Sequence, residues 1–189
     1  MTPQQFISKW QASPLTERAA AQSQFIDLCH LLDEPIPSDA DPTGTWYAFE
    51  KGAIKATGAS GWADVWKKEH FAWEYKKPNR DLSAAFSQLQ QYAGALGNPP
   101  LLVVSDMLRF RVHTNWTNTV TQVDEIVLDQ LIDPGKRHVL KCVLSNPERL
   151  KPGLTRQALT EQAAERFADT IADHPPSPTL CHAPFSQHP

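Results

Sequence analysis

The chain has 189 residues and a formal net charge of −3. This length suits one domain with a sizeable core, and the charge excludes a generally basic nucleic-acid binder, so any DNA contact must come from a local patch or another domain. No run approaches the roughly 18 apolar residues of a membrane helix, and the first residues lack a signal-peptide pattern. The three cysteines, at positions 29, 142 and 181, are widely spaced, which suits reduced thiols. We therefore expect a cytoplasmic protein with no membrane partner.

Two helices are predicted at the N-terminus, over residues 3–11 and about 14–32. The second helix has an apolar stripe at helical spacing, formed by Ala21, Phe25, Leu28 and Leu32. Glu17 falls within about 20° of Leu28 on the helical wheel, so it points inward with this stripe. An acid near a helix N-terminus is also favoured by the helix dipole. Glu17 is therefore either a helix-end charge or an acid directed at a site on the sheet.

The centre of the chain, residues 61–76, predicts two short strands joined by a charged turn at residues 68–70. A turn at this position places Lys67 opposite Phe71, and Val65 opposite Trp73. The same register places Asp64 opposite Glu74, with Cβ atoms roughly 5 Å apart. A proline-punctuated loop (33–45) and a strand over residues 46–50 precede this hairpin.

The two opposed carboxylates predict a metal site. Asp64 and Glu74 at this separation repel each other, and both ionise comfortably only if a cation lies between them. A hard divalent ion, Mg²⁺ or Mn²⁺, accepts oxygen ligands from both. Lys76 lies two residues beyond Glu74 and shares its face of the strand. It can therefore contact an attacking water or a phosphate oxygen.

The rest of the chain completes an α/β fold. A helix capped by Asp81 is predicted to run to about residue 96, followed by a buried strand at 101–104 and a further strand at 108–113. Residues 122–128 can pair with or cover a sheet edge. The resulting order, α-β-β-β-α-β, predicts a central mixed sheet flanked by helices. Residues 155–173 predict a C-terminal helical extension.

The order of these elements and the Asp64…Glu74-x-Lys76 spacing resemble the PD-(D/E)xK nuclease superfamily. Ala63 stands where that pattern has a proline-like position, a common kind of departure. Gln88 and Tyr92 resemble the Gln-x-x-x-Tyr spacing of the RecB-like branch. Residues four apart share a helix face, so both can reach one phosphate or the catalytic pocket, although a polar helix flank has the same pattern.

Residues 1 to about 168 also resemble the N-terminal nuclease domain of MmeI-like (Type IIL) restriction–modification enzymes. The collinear matches are residues 17–29, 46–52, 61–67, 71–76, 88–92, 98–101, 110–117 and 146–152. That resemblance implies a nuclease domain over residues 1–150 and the start of a helical connector over 151–173. In that family the same polypeptide continues into an adenine-N6 methyltransferase and a target-recognition domain, which the resemblance does not cover.

The implied activity is Mg²⁺- or Mn²⁺-dependent hydrolysis of double-stranded DNA. Asp64, Glu74 and the backbone carbonyl of Tyr75 would bind the metal, and Lys76 would stabilise developing charge. The other implied catalytic residues are Glu17, Gln88 and Tyr92. Local positive charge for DNA phosphates would come from Lys67, Lys68, Lys77 and Arg80. Those four basic residues have a second interpretation, as the solvated ends of a hairpin.

No S-adenosylmethionine site is expected. Asn98-Pro99-Pro100 resembles part of an adenine-methyltransferase motif, but Leu101 follows it and cannot stack on a base. No glycine-rich loop precedes it, so a helix stop before a strand is the better interpretation. A separate methyltransferase or specificity polypeptide is a partner that the resemblance allows.

The last residues, 174–189, are proline-rich and cannot continue a helix. His174, Cys181, His182 and His188 match no standard metal spacing, so we expect a disordered tail. Two alternatives to the endonuclease remain open. One is a catalytically idle DNA-binding or interaction remnant of a truncated enzyme, and the other is a non-specific RecB-like DNA exonuclease.

Overall fold

The computed structural model describes residues 1–13, 17–54, 60–153 and 155–173. Helix α1 spans Pro3–Gln11 and begins with a capping box in which the Thr2 hydroxyl accepts from the Gln5 amide. Helix α2 spans Glu17–Leu32. The predicted stripe of α2 is buried in full, at Ala21, Phe25, Leu28 and Leu32. The proline-rich 174–189 segment lies outside the described residues.

Three antiparallel strands follow a short helix, α3 (Pro37–Ala40): β1 is Tyr47–Ile54, β2 is Ser60–Lys67 and β3 is Phe71–Tyr75. The predicted hairpin register is confirmed where the ladder extends, because Lys67 pairs with Phe71 and Val65 with Trp73. Strand β1 is four residues longer at its end than predicted, because it pairs along most of β2 down to the Ile54–Ser60 pair.

Helix α4 (Leu82–Tyr92) then crosses over to strand β4 (Leu101–Ser105), which lies parallel to β3. Its N-cap is Asp81, as predicted, and the carboxylate accepts from the Ser83 amide at 2.8 Å. Strands β5 (Arg109–Thr114) and β6 (Val123–Val127) add antiparallel to give one six-stranded mixed sheet in the order β1 to β6. All five residues of β4 are buried, as expected for a central strand.

Each face of the sheet carries its own apolar core. The α2 face is covered by α1, α2 and a further helix, α5 (Pro134–Ser145), and includes Phe71, Trp73 and Tyr75. The α4 face is covered by α4 and includes Ala72, Leu102 and Val104. Helix α5 was not predicted, because its buried residues cluster in its second half while its first turn reads as a polar loop.

The two strands of the β1–β2 hairpin exchange faces at one row of the sheet. Phe49 and its partner Val65 pack on the α2 face, whereas Ala63 packs on the α4 face. Lys51, the partner of Ala63, places its ammonium 4.5 Å from the Trp66 ring, also on the α4 face. The intervening row holds Glu50, whose φ of 50° is left-handed, opposite Asp64. Asp64 therefore lies in the row where the side chains of β1 and β2 exchange faces of the sheet.

The last helix, α6, spans Arg156–Asp173, close to the predicted extension. A β-bridge between Thr119 and Thr155 and a bond from the Arg156 amide to the Asn118 carbonyl attach its start to the sheet. Among the described residues, no helix is both long enough and apolar enough to cross a membrane.

Candidate active site

The first part of the site is a bond between neighbouring strands. The backbone N–H of Tyr75 donates to Oδ2 of Asp64 at 2.6 Å. The backbone pairing of β2 with β3 ends at Val65–Trp73. Beyond that pair, the Tyr75 amide bonds the Asp64 side chain instead of a backbone carbonyl of β2. The Tyr75 ring is buried on the α2 face and stacks on Trp73 with ring centroids 5.8 Å apart. The amide that orients Asp64 is therefore held by the core.

The second part is an acid–base pair on β3. Nζ of Lys76 donates to Oε1 of Glu74 at 2.6 Å, with exposed side-chain fractions of 24% and 10%. Glu74 alternates with Trp73 and Tyr75 and therefore faces α4. The Lys76 amide donates to the Ser105 carbonyl at 2.7 Å, so the backbone of Lys76 still follows β4 after β3 ends. A partly exposed ammonium and a mostly buried carboxylate thus lie at the edge of the α4 core.

The donor set fits a hard divalent cation. Asp64 and Glu74 would supply carboxylate oxygens from adjacent strands, and Tyr75, the residue between Glu74 and Lys76, would supply a backbone carbonyl. Mg²⁺ is commonly held by one or two carboxylates together with waters and substrate phosphates, so two acids are sufficient. Across the part of the chain that the structure describes, no cluster of three or more His, Cys, Asp or Glu side chains is arranged to hold a metal. A cation here would therefore depend on water or DNA for its remaining ligands.

Tyr92 packs against the hairpin that carries Asp64. Its ring is 4% exposed and lies over Gly61, so that a Cβ added to Gly61 would be 2.0 Å from Cζ of Tyr92. Gly61 is three residues before Asp64, which means that the end of α4 is packed directly onto β2. Gln88 lies one turn earlier on α4 and is half-buried. Glu17 is the first residue of α2, and its side chain lies outside the described residues.

Lys67 pairs with Phe71 as predicted, but its side chain is buried against the α2 core. Its ammonium is on the α2 face, where it donates to the Leu144 carbonyl at 2.6 Å and lies 5.1 Å from the Tyr47 ring. This contact caps the C-terminal end of α5, where a cation is favoured by the helix dipole. Burial lowers the pKa of Lys67 below its usual 10.5, partly offset by the nearby Glu34. The prediction of a DNA phosphate contact is therefore replaced by a structural role.

The remaining basic residues separate into two groups. Lys68 is exposed in the turn before β3, and the strand from Phe71 to Glu74 spans roughly 10 Å. Lys68 therefore lies at the end of the hairpin away from the carboxylates. Lys77 and Arg80 are also exposed, but they follow Lys76 directly along the chain.

The sequence of residues 1–171 matches the family described as the MmeI N-terminal domain. The chain belongs to that family. Membership covers the described helices and strands almost completely and associates the chain with restriction–modification enzymes. Neither a curated protein nor a solved structure matches the chain.

In this MmeI-type N-terminal domain, the sequence interpretation missed two residues beside the site, Asp106 and Arg109. Asp106 is completely buried, and it forms an ion pair with Arg109 at 2.6 Å. The predicted strands at 101–104 and 108–113 left Asp106 only in the connection between them. A usable signal was present, because an acid that ends an apolar strand and precedes an arginine by three residues is a candidate for a buried pair.

Proposed function

We propose that this domain is a metal-dependent DNA endonuclease of the PD-(D/E)xK type, acting as the cleavage module of a restriction–modification enzyme. One observation carries the proposal. Two carboxylates, Asp64 and Glu74, lie on adjacent antiparallel strands, and a lysine ammonium is 2.6 Å from the second of them. Family membership supports the association with restriction, and the donor chemistry supports Mg²⁺ or Mn²⁺.

Each residue of the site has a distinct task in this proposal. Asp64 and Glu74 hold the cation, with the Tyr75 carbonyl as a third oxygen donor. The bound ion supplies Lewis acidity and lowers the pKa of water. Lys76 leaves Glu74 to contact the attacking water or a phosphate oxygen, where its charge stabilises the transition state. The Tyr75 amide keeps Asp64 oriented while this exchange takes place.

The surrounding residues bind and orient the DNA. Lys77 and Arg80 are exposed and follow Lys76 along the chain, where they supply positive charge for DNA phosphates. Gln88 orients Lys76 or the strand backbone, and Tyr92 holds α4 on the hairpin. Glu17 is the additional acid that we propose at the start of α2.

The test is a nicking assay on closed circular plasmid DNA with Mg²⁺ or Mn²⁺. We expect weak cleavage without sequence preference by the purified chain, and none by Asp64→Ala or Lys76→Ala. Glu148 and Lys151 form an exposed ion pair with a separation of 3.4 Å, and this pair is not part of the proposed site. Glu148→Ala and Lys151→Ala are therefore matched controls that retain activity. Strong cleavage by the Asp64→Ala protein contradicts the assignment.

The same assay distinguishes the alternative functions. A RecB-like exonuclease needs DNA ends, so it would degrade linear DNA and leave the closed circle intact. An idle binding module would retain metal binding, measured by calorimetry with Mn²⁺, and would cut neither substrate.

A further inference from the structure

Asp106 joins two parts of the chain that are far apart in sequence. Its Oδ1 accepts from the backbone amides of Leu108 and Arg109, at 3.3 and 2.9 Å, and so shapes the turn between β4 and β5. Its Oδ2 accepts from the Asn79 amide at 3.2 Å and from Nε and Nη2 of Arg109 at 3.1 and 2.6 Å. One oxygen therefore organises its own turn, while the other holds the segment that follows β3.

Arg109 adds a second bond to that segment. Its Nη2 also donates to the carbonyl of Arg80 at 3.3 Å. Residues 77–80 thus have two attachments to the β4–β5 turn, one through Asn79 and one through Arg80. Asn79 has a left-handed φ of 62°, so the backbone of this segment bends sharply at Asn79.

This segment begins immediately after Lys76. The amide of Lys76 itself donates to the carbonyl of Ser105, the residue before Asp106. The β4–β5 turn therefore anchors the chain at Lys76, at Asn79 and at Arg80. A fully buried carboxylate paired with an arginine is costly unless its bonds are satisfied, and five donors satisfy this one.

We propose that Asp106 and Arg109 are positioning residues that fix the backbone of Lys76, and with it the reach of the Lys76 ammonium towards Glu74 and the reacting phosphate. This inference rests on the proposed nuclease function. Asp106 bonds the Asn79 amide and Arg109 bonds the Arg80 carbonyl, so we argue their effect on Lys76 through the 77–80 segment. Because misplacing a catalytic group by about 1 Å can cost on the order of 10²-fold in rate, a loosened segment reduces turnover without changing metal binding.

Two variants separate this role from folding. Asp106→Asn keeps a carbonyl oxygen for the turn amides at Leu108 and Arg109 but loses the acceptor at the Oδ2 position. Arg109→Ala removes the bond to Arg80 together with two of the five donors to Asp106. The matched control is Arg111→Ala, since Arg111 lies on the same strand and face and its Nε bonds Oε2 of Glu125 at 2.8 Å. Arg111 also donates from Nη1 to Oγ of Ser83 on α4 at 3.3 Å, and within the described residues its hydrogen bonds do not reach residues 77–80.

Steady-state cleavage with Mn²⁺ is the first measurement. We expect Asp106→Asn and Arg109→Ala to lower kcat by about 10- to 100-fold, with the half-saturating Mn²⁺ concentration unchanged. Arg111→Ala should stay within about twofold of the wild type. An unchanged kcat in Asp106→Asn overturns the proposal, as does an equal loss in Arg109→Ala and Arg111→Ala.

Hydrogen exchange of the backbone amides provides a readout that needs no activity. Faster exchange confined to residues 76–80 in Asp106→Asn, and absent in Arg111→Ala, supports the attachment of Lys76. Unchanged exchange there overturns it. If the wild-type chain does not cut DNA, the proposed function fails, and this measurement still decides whether Asp106 and Arg109 hold the segment.

Discussion

The backbone amide of Tyr75, two residues beyond the last β3 residue that pairs with β2, donates to Asp64 Oδ2 at 2.6 Å. An acid at the row where β1 and β2 change faces is thereby tied to the strand that carries Glu74 and Lys76. The bond gives Asp64 two functions that can be separated experimentally. One is to satisfy a backbone donor next to a buried ring, and the other is to supply negative charge.

Asp64→Ala and Asp64→Asn should differ in stability but not in activity. Alanine leaves the Tyr75 amide without its acceptor, which costs about 1–3 kcal/mol in the free energy of unfolding. Asparagine keeps an oxygen there but loses the charge, so its stability stays close to that of the wild type. Both should lower cleavage by on the order of 10²-fold or more. Urea unfolding and the plasmid assay measure the two effects, and a stable, fully active Asp64→Asn protein would refute the metal-binding role.

Gly61→Ala should destabilise the domain through Tyr92. The added methyl would lie 2.0 Å from Cζ of the tyrosine, so the ring or the strand must move. Overpacking of this kind costs about 1–3 kcal/mol, measured by chemical denaturation. Gly94→Ala is the matched control, since a Cβ at that position meets nothing within 4 Å.

A double-variant cycle tests the same contact. If the clash is the cause, Gly61→Ala should cost little in a Tyr92→Ala background, and the two changes will not add. Additive losses would mean that Gly61 acts through something other than Tyr92.

The basic residues around the hairpin should differ in their effect on the salt dependence of DNA binding. The DNA association constant falls as salt rises, and removing one phosphate contact reduces the magnitude of the slope of log K against log salt concentration by about 0.9. We expect this for Lys77→Ala and for Arg80→Ala, measured in the inactive Asp64→Asn background. Lys67→Met and Lys68→Ala should leave the slope unchanged, because Lys67 is buried against Leu144 and Lys68 is at the far end of the hairpin. An equal decrease in all four variants would contradict the placement.

His113 should make the domain less stable in acid. Burial, together with the charge of Arg111, lowers the pKa of His113 from 6.5 to about 4, and its ring stacks on Phe86 at 3.7 Å. Below about pH 6.5 the unfolded chain binds a proton that the folded histidine does not, so stability falls between about pH 6.5 and pH 4. The total loss is up to roughly 3 kcal/mol.

The comparison variant is His113→Phe, which keeps a ring against Phe86 but cannot be protonated. Its free energy of unfolding should decrease less than that of the wild type between pH 7.5 and pH 5. Parallel pH profiles for the two proteins would show that His113 does not contribute.

Much of the hairpin could be predicted from local pattern. A three-residue polar turn sets which residues face each other, and alternation then assigns Glu74 and Lys76 to one side and Trp73 to the other. The cap at Asp81 and the buried stripe of α2 were also predictable, because capping and helical periodicity depend on residues within a few positions.

Long-range contacts were not predictable in the same way. Strand alternation assigns Lys67 to one face of the sheet, but it does not say which helices cover that face. The docking of α5 decides that the Lys67 ammonium bonds the Leu144 carbonyl, 77 residues away. The link from Asp106 to Asn79 spans 27 residues and exists because β4 lies parallel to β3.

The sequence by itself determined the spacing of Asp64, Glu74 and Lys76 on two paired strands, since that follows from backbone geometry. Only the tertiary structure decided that the Tyr75 amide holds Asp64, that Tyr92 covers Gly61, and that Asp106 reaches the segment after Lys76. The physical reason is that these contacts depend on how helices and turns pack across the sheet, and a local pattern of polar and apolar residues does not specify that packing.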